Sequence, residues 1–157
     1  MKLDRMDRRI LQEMQRNGRI SNLELAEKIG LSPSPCSRRV KQLEDSGIIE
    51  KHVTLLDRSA LGLKLTAYIQ VSMDRHTPDR FEQFESTLAK CPEVLECCLI
   101  TGQSADYLVK AIVADMDHYQ EFLLNTLTRI KGVSGVHSSF VMRRVIDKTE
   151  LPLDHIR

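Results

Sequence analysis

Pro33 and Pro35 stand just behind Gly30 in the stretch GLSPSPCSRRVKQLEDSG, and they leave that stretch few ways to fold. Proline inside a helix removes a hydrogen bond and clashes with the preceding turn. In the first turn its missing N–H has no helical partner to lose. The pair therefore predicts a helix start, with Ser32 as N-cap, Pro33 as the first helical residue and Pro35 still in the first turn. Helical spacing then puts Cys36, Val40 and Leu43 on one stripe and Ser34, Ser37, Arg38 and Lys41 on the opposite side. One face is built to pack; the other is basic and rich in hydroxyls.

The residues upstream supply the elements against which such a helix packs. Asp4 precedes a pattern in which Met6, Ile10, Leu11 and Met14 share a face, and Asn17-Gly18 ends it. Ser21 and Glu24 form a capping box for a short second helix that is expected to carry Leu23, Ala26 and Ile29 inward and to stop at Gly30. Two helices joined by so short a Gly-containing turn, the second basic on its outer face, make a helix-turn-helix. Gly47-Ile48-Ile49 and the extended-looking HVTLL behind it suggest a winged version. The candidate DNA contacts are Ser32, Ser34, Ser37, Arg38, Arg39, Lys41 and Gln42. Arg38 lies opposite the apolar stripe, suited to a base edge or a phosphate. Arg39 sits at the stripe's edge, where a structural pair with a carboxylate such as Glu44 or Asp45 competes with a DNA role.

Beyond a turn-like DRSALG the periodicity changes. Leu65, Ala67, Ile69, Val71 and Met73 alternate with Lys64, Thr66, Tyr68, Gln70 and Ser72, which predicts a strand. Thr77-Pro78 starts a helix with Phe81, Phe84 and Leu88 inward, and Pro92 bars its continuation. Strands are expected from Val94 to Thr101 and from Asp106 to Val113, joined by a turn at Gly102 to Ala105. A helix capped by Asp115 buries Tyr119, Phe122, Leu123, Leu127 and Ile130, and a last strand runs from about Val136 to Val145. The order βαββαβ implies a ferredoxin-like antiparallel sheet with both helices on one face. In VLECCLIT both alternate sets are largely apolar, so the strand needs cover on both sides, and a second copy of the chain is expected to give a homodimer.

Charge and cysteine usage exclude several classes. Residues 1–60 hold 12 Lys and Arg against 9 Asp and Glu, and the remainder 11 against 13, so only the N-terminal part leans toward a polyanion. Cys36, Cys91, Cys97 and Cys98 lack the paired spacing of a zinc site, and no metal is expected. His52, His76, His118, His137 and His155 are scattered without nucleophile–base spacing, and no glycine loop suits a phosphate, so catalysis is not expected. MKLDRMDRR lacks the apolar core of a signal peptide, and no apolar run approaches the roughly 20 residues that span a bilayer, so a soluble cytoplasmic protein without a membrane partner is expected.

The run LDRMDRRILQEMQRNGRISNLELAEKIGLSPSPCSRRVKQLEDSGII, the segment FEQF, the TG…DYLVK hairpin and the late GV…SSFVM strand together resemble the leucine-responsive/asparagine regulator (Lrp/AsnC) family of bacterial transcription factors. The resemblance covers nearly the whole chain. It implies an α+β protein divided into a three-helix winged helix-turn-helix that binds double-stranded DNA (1–56), a linker region (57–63) and a ferredoxin-like effector-binding and oligomerisation domain (64–157). It further implies dimers assembling into higher rings, commonly octamers, with a small amino acid of the leucine or methionine type bound near the loop joining the second and third strands, and no cofactor. Mapped onto this chain, that loop is Thr101, Gly102, Gln103, Ser104, Ala105, Asp106 and Tyr107, with Ser138 and Ser139 of the last strand added. Gly102 would open backbone amides to an α-carboxylate and Asp106 would receive the ammonium group. The family pattern has two residues between glycine and aspartate; here there are three, Gln103, Ser104 and Ala105. An architectural DNA-binding protein without an effector is the alternative function.

Overall fold

A computed structural model describes residues 2–102 and 104–154. The described residues divide into two compact units, one comprising 2–55 together with 146–154, the other Leu56–Val145.

The first unit holds α1 (Arg5–Arg16), α2 (Asn22–Ile29) and α3 (Pro33–Asp45). Each start has a local cause. Asp4 accepts from the Asp7 N–H while Asp7 reaches back to the Asp4 N–H, and Ser21 and Glu24 do the same for α2. In α3, Ser32 is extended and makes no side-chain cap bond, so the prolines rather than a cap set the start. Gly30 closes α2 in the left-handed region, φ +76°, with the Leu31 N–H returning to the Ala26 carbonyl at 2.9 Å.

Ile10, Leu11, Leu25, Ala26, Ile29, Cys36 and Leu43 form the core of this unit. Leu23, expected inside, is 69 % exposed, and Leu25 takes its place. At 100° per residue Leu23 lies about 120° round the helix from Ile29, outside the arc shared by Leu25, Ala26 and Ile29. The segment expected as the wing follows α3 without helix or turn from Glu50 to Leu56, and among the described residues none from Ser46 to Lys64 belongs to a ladder. Leu153 enters this core and is only 7 % exposed. Gln15 holds the segment beside it, donating to the Leu151 carbonyl at 3.2 Å and accepting the Leu151 N–H at 2.6 Å. The segment from Ile146, expected to extend the C-terminal domain, thus belongs by its contacts to the first unit, because Leu153 is buried there while Ile146 and Leu151 stay exposed.

The second unit is β1 (Leu65–Met73), α4 (Pro78–Leu88), β2 (Val94–Leu99), β3 (Tyr107–Val113), α5 (Met116–Asn125) and β4 (Val133–Phe140), with a 3₁₀ turn at Leu127–Arg129. The sheet order β2-β3-β1-β4 is fully antiparallel and ferredoxin-like. Ala67, Ile69 and Val71 of β1 and Tyr107, Val109 and Ala111 of β3 meet Phe84, Leu88, Tyr119 and Phe122 in the core. β4 starts and ends earlier than its apolar run suggests. Its partner β1 begins at Leu65, and the last bond of the ladder region is Val141 N–H to the Thr66 carbonyl at 2.9 Å, beyond which β1 offers no further residue to the ladder.

In β2 a register shift between Val94 and Glu96 alters which residues share a face. Cys97 and Leu99 stand opposite Val109 and Tyr107 on the helix-bearing side, while Glu96 and Cys98 stand opposite Lys110 and Leu108 on the open side. Leu95 and Leu99 remain 51 % and 57 % exposed beside α4. The large exposed apolar side chains of this strand, Leu95 and Leu99, therefore lie along its outer edge beside α4, while on the open face it exposes Cys98. Among the described residues no helix is long and apolar enough to cross a membrane.

Candidate functional site

Two surfaces, one in each unit, hold most but not all of the residues singled out from the sequence. On α3, Cys36 and Leu43 are fully buried, and Ser34, Ser37, Arg38, Lys41 and Gln42 are exposed, with Ser32 exposed at the cap. Ser34, Ser37, Arg38 and Lys41 line one shallow concavity together with Pro33 and Asn22. Asn22, the first residue of α2, donates its side-chain amide to the Pro33 carbonyl at 2.9 Å and so ties the two helix starts together. Sequence reasoning missed Asn22 because its partner is 11 residues away and no local pattern announces the bond.

Arg39 takes the structural role, but with different partners from those expected. Its Nη1 lies 2.7 Å from Asp4 Oδ2 and 2.7 Å from Asp7 Oδ1. These are the two carboxylates of the α1 capping box, and Asp7 is itself buried. Glu44 pairs instead with His52 at 3.5 Å. The Asp7 N–H first, and the Arg39 guanidinium with it, hold the Asp4 carboxyl below the usual carboxylate range, and the two aspartates raise Arg39 above its ordinary value.

The hairpin between β2 and β3 carries the second set, of which Gln103 lies outside the described residues. Thr101, Gly102 and Ser104 are exposed. Gly102 has φ +87°, and a Cβ built on it would meet nothing within 4 Å, so the glycine is required by backbone conformation and not by crowding. Ala105 and Tyr107 point into the core. The Tyr107 ring lies 4.5 Å from that of Phe84 and edge-on to Phe81, and its hydroxyl donates to Glu85 at 2.7 Å. Burial foremost, and the adjacent Glu85 carboxylate, push the Tyr107 phenol well up. The side chains that the hairpin offers to a ligand are thus fewer than the seven positions named from sequence.

Asp106 is already engaged at both oxygens. Oδ2 accepts the Met73 N–H at 2.7 Å, Oδ1 lies 2.7 Å from His76 Nε2, and the Asp106 N–H donates to the Val71 carbonyl at 2.9 Å. The Ser72 hydroxyl holds the Ser104 carbonyl at 3.2 Å, so the end of β1 braces the hairpin at two points. A carboxylate has about four lone-pair sites, which leaves acceptor capacity on Asp106 for an ammonium group. Ser138 and Ser139 do not join this cluster. They pair with Ile69 and Tyr68 in the middle of β1, on opposite faces, and the Ser138 hydroxyl is bonded to that of Tyr119. His76, one of five histidines scattered along the sequence, is brought to the hairpin by the fold, as are Ser72 and Met73.

Comparison with known proteins agrees with both halves of this description. Residues 3–50 match a winged helix-turn-helix DNA-binding model, and residues 66–151 match the model of the Lrp/AsnC ligand binding domain. The leucine-responsive regulatory protein of Klebsiella pneumoniae is 43 % identical over 149 residues, which cover 95 % of this chain and 90 % of that protein. The Escherichia coli K12 protein of the same name is 42 % identical over the same shares. Among solved structures, a transcriptional regulator of Neisseria meningitidis in complex with L-Met superposes with a TM-score of 0.94 at 45 % identity, covering 98 % of this chain and 99 % of its own. An AsnC family regulator of Agrobacterium tumefaciens gives 0.93 at 33 % identity, covering 99 % and 100 %.

Proposed function

Because the chain belongs to the Lrp/AsnC family of DNA-binding transcription regulators, a non-enzymatic family, we propose that its hairpin at Thr101 to Asp106 binds a small apolar amino acid, of the methionine or leucine type, and that occupancy changes its assembly or its hold on DNA. The observation that carries this reading is the braced hairpin itself. Gly102 takes a positive φ, +87°, with open space where a side chain would stand, and Asp106, fixed by Met73 and His76, supplies a carboxylate in the same hairpin. These are complementary to the two ends of a zwitterion. The solved relative bound to L-Met supports the choice of ligand class. DNA is engaged by the exposed face of α3, with Arg38 and Lys41 as its cations.

The uncovered apolar edge at Leu95 and Leu99 supports a homodimer that assembles further, to an octamer in the family pattern. A protein working inside the cytoplasm fits these partners. The deciding experiment is a thermal-shift screen of the twenty amino acids on the full chain, followed by DNA titration with each hit. A ligand at 100 times its dissociation constant adds about 2.7 kcal/mol of stability. Methionine or leucine is expected to raise the melting temperature. No shift with any amino acid, together with DNA binding indifferent to all of them, would favour the architectural alternative.

A further inference from the structure

At the end of β1 away from the hairpin the second unit has another concavity, of about 220 Å³, lined by Arg58, Ser59, Leu63, Lys64 and Thr66 with the chain leaving β4, Val141 to Arg144. Its walls are fixed by backbone. Asp57 accepts the N–H groups of Ser59 and Ala60 at 2.8 and 3.1 Å, and the Leu63 N–H donates to the Arg58 carbonyl at 2.8 Å, which closes the turn that carries Arg58. The Val141–Thr66 bond brings the two cationic segments side by side. No carboxylate lines the concavity among the described residues.

The Nη1 of Arg58 is buried and has no hydrogen-bond partner among the described residues. A guanidinium N–H removed from water without an acceptor is costly, so an acceptor that draws the Arg58 head outward would relieve it. Arg58 shares the concavity with two further cations, Lys64 and Arg143. Arg144, which also lines the concavity, is engaged in another interaction. Two hydroxyls, of Ser59 and Thr66, complete the lining.

We propose that this concavity is a phosphate-binding site, holding one phosphate group between Arg58, Lys64 and Arg143. A tetrahedral oxyanion offers acceptor oxygens in several directions, which suits a guanidinium fork, an ammonium and two hydroxyls arranged around it. A planar carboxylate would satisfy fewer of them. The phosphate comes either from a DNA backbone, adding an anchor outside the helix-turn-helix, or from a free phosphorylated small molecule. The site is separate from the amino-acid hairpin and does not depend on that reading.

The test uses the full chain and the double variant Arg58→Gln/Arg143→Gln, with Arg58→Lys/Arg143→Lys as the charge-preserving control. Pyrophosphate is titrated against matched potassium chloride by thermal shift, and duplex DNA is titrated at several salt concentrations. If the source is a free phosphate, pyrophosphate raises the melting temperature of the wild type beyond the chloride control, the Gln variant loses at least tenfold in pyrophosphate affinity, and the DNA salt slope is unchanged. If the source is DNA, the Gln variant binds every duplex more weakly and its slope of log affinity against log salt falls by about 0.9 for each phosphate no longer neutralised. In either case the Lys variant retains part of the effect. Sedimentation shows whether the Gln variant keeps its assembly. A variant that instead falls apart would mean that the cations serve a neighbouring copy's carboxylates, and would overturn the proposal. Unchanged pyrophosphate affinity together with an unchanged DNA slope would overturn it as well.

Discussion

Arg38 and Arg39 are chemically identical neighbours with opposite surroundings, and the contrast gives a sharp test. Arg39 bridges the half-exposed Asp4 and the buried Asp7, so Arg39→Ala leaves the Asp7 carboxylate short of its charged partner. Loss of such a bond costs about 1–3 kcal/mol, expected as a lower urea midpoint for the first unit. Arg38 is exposed, lines the α3 concavity and is expected to change stability by no more than about 0.5 kcal/mol on replacement by Ala. Its loss should appear in DNA titration, uniformly across sequences if it meets a phosphate and selectively if it reads a base edge. Equal stability losses for the two variants would contradict the division. The sequence placed Arg38 and Arg39 at different angles on α3 but could not identify the partner of Arg39, because Asp4 lies 35 residues away and enters reach only when α1 packs on α3.

At the scale of elements, the starts of α1 and α2 and the ion pair between these helices depend on ionised carboxylates. Asp4 is held below 3.8 chiefly by the Asp7 N–H, Glu24 below 4.5 chiefly by the Ser21 N–H, and Glu13 below 4.5 chiefly by Lys28. A depressed native value stabilises the fold above the unfolded value and is lost as pH falls through the native one. The melting temperature should therefore be flat in this respect above about pH 5 and drop as acid is added below about 4.5. Hydrogen exchange should show the first turns of α1 and α2 opening earliest. A melting temperature indifferent to acid across that window would remove the caps as a source of stability. The C-terminal segment makes the second prediction at this scale. Leu153→Ala removes a buried side chain from the core of the first unit, and core truncations of this kind cost about 2–5 kcal/mol. Exchange protection should fall in α1, where Gln15 grips the same segment, while β1 and β3 stay protected. Unchanged protection in α1 would show that the segment is not part of that core.

For the whole molecule, the apolar edge of β2 is the feature that one chain leaves unresolved. Leu95→Glu with Leu99→Glu introduces charges on surface that is already exposed in the single chain, so its fold should survive. In an assembly that buries this edge, the pair would reduce the sedimentation coefficient at micromolar concentration. An unchanged coefficient would place the interface elsewhere. What the sequence by itself determined is what acts within a few residues: proline and cap chemistry that start three helices, the αL glycine that ends α2, and the alternation that makes β1 a strand. These features are sterics and hydrogen bonds between near neighbours, and they hold whatever the rest of the chain does. The tertiary structure decided the pairings between distant segments. It gave Arg39 to Asp4 and Asp7, Leu153 to the first unit's core, and Asp106 to Met73 and His76. It also shifted β2 in register and set Arg58 beside Lys64 and Arg143. No local pattern encodes these, because each depends on which surfaces meet when apolar area is withdrawn from water, and the partner of a charged group is whatever that burial brings within reach.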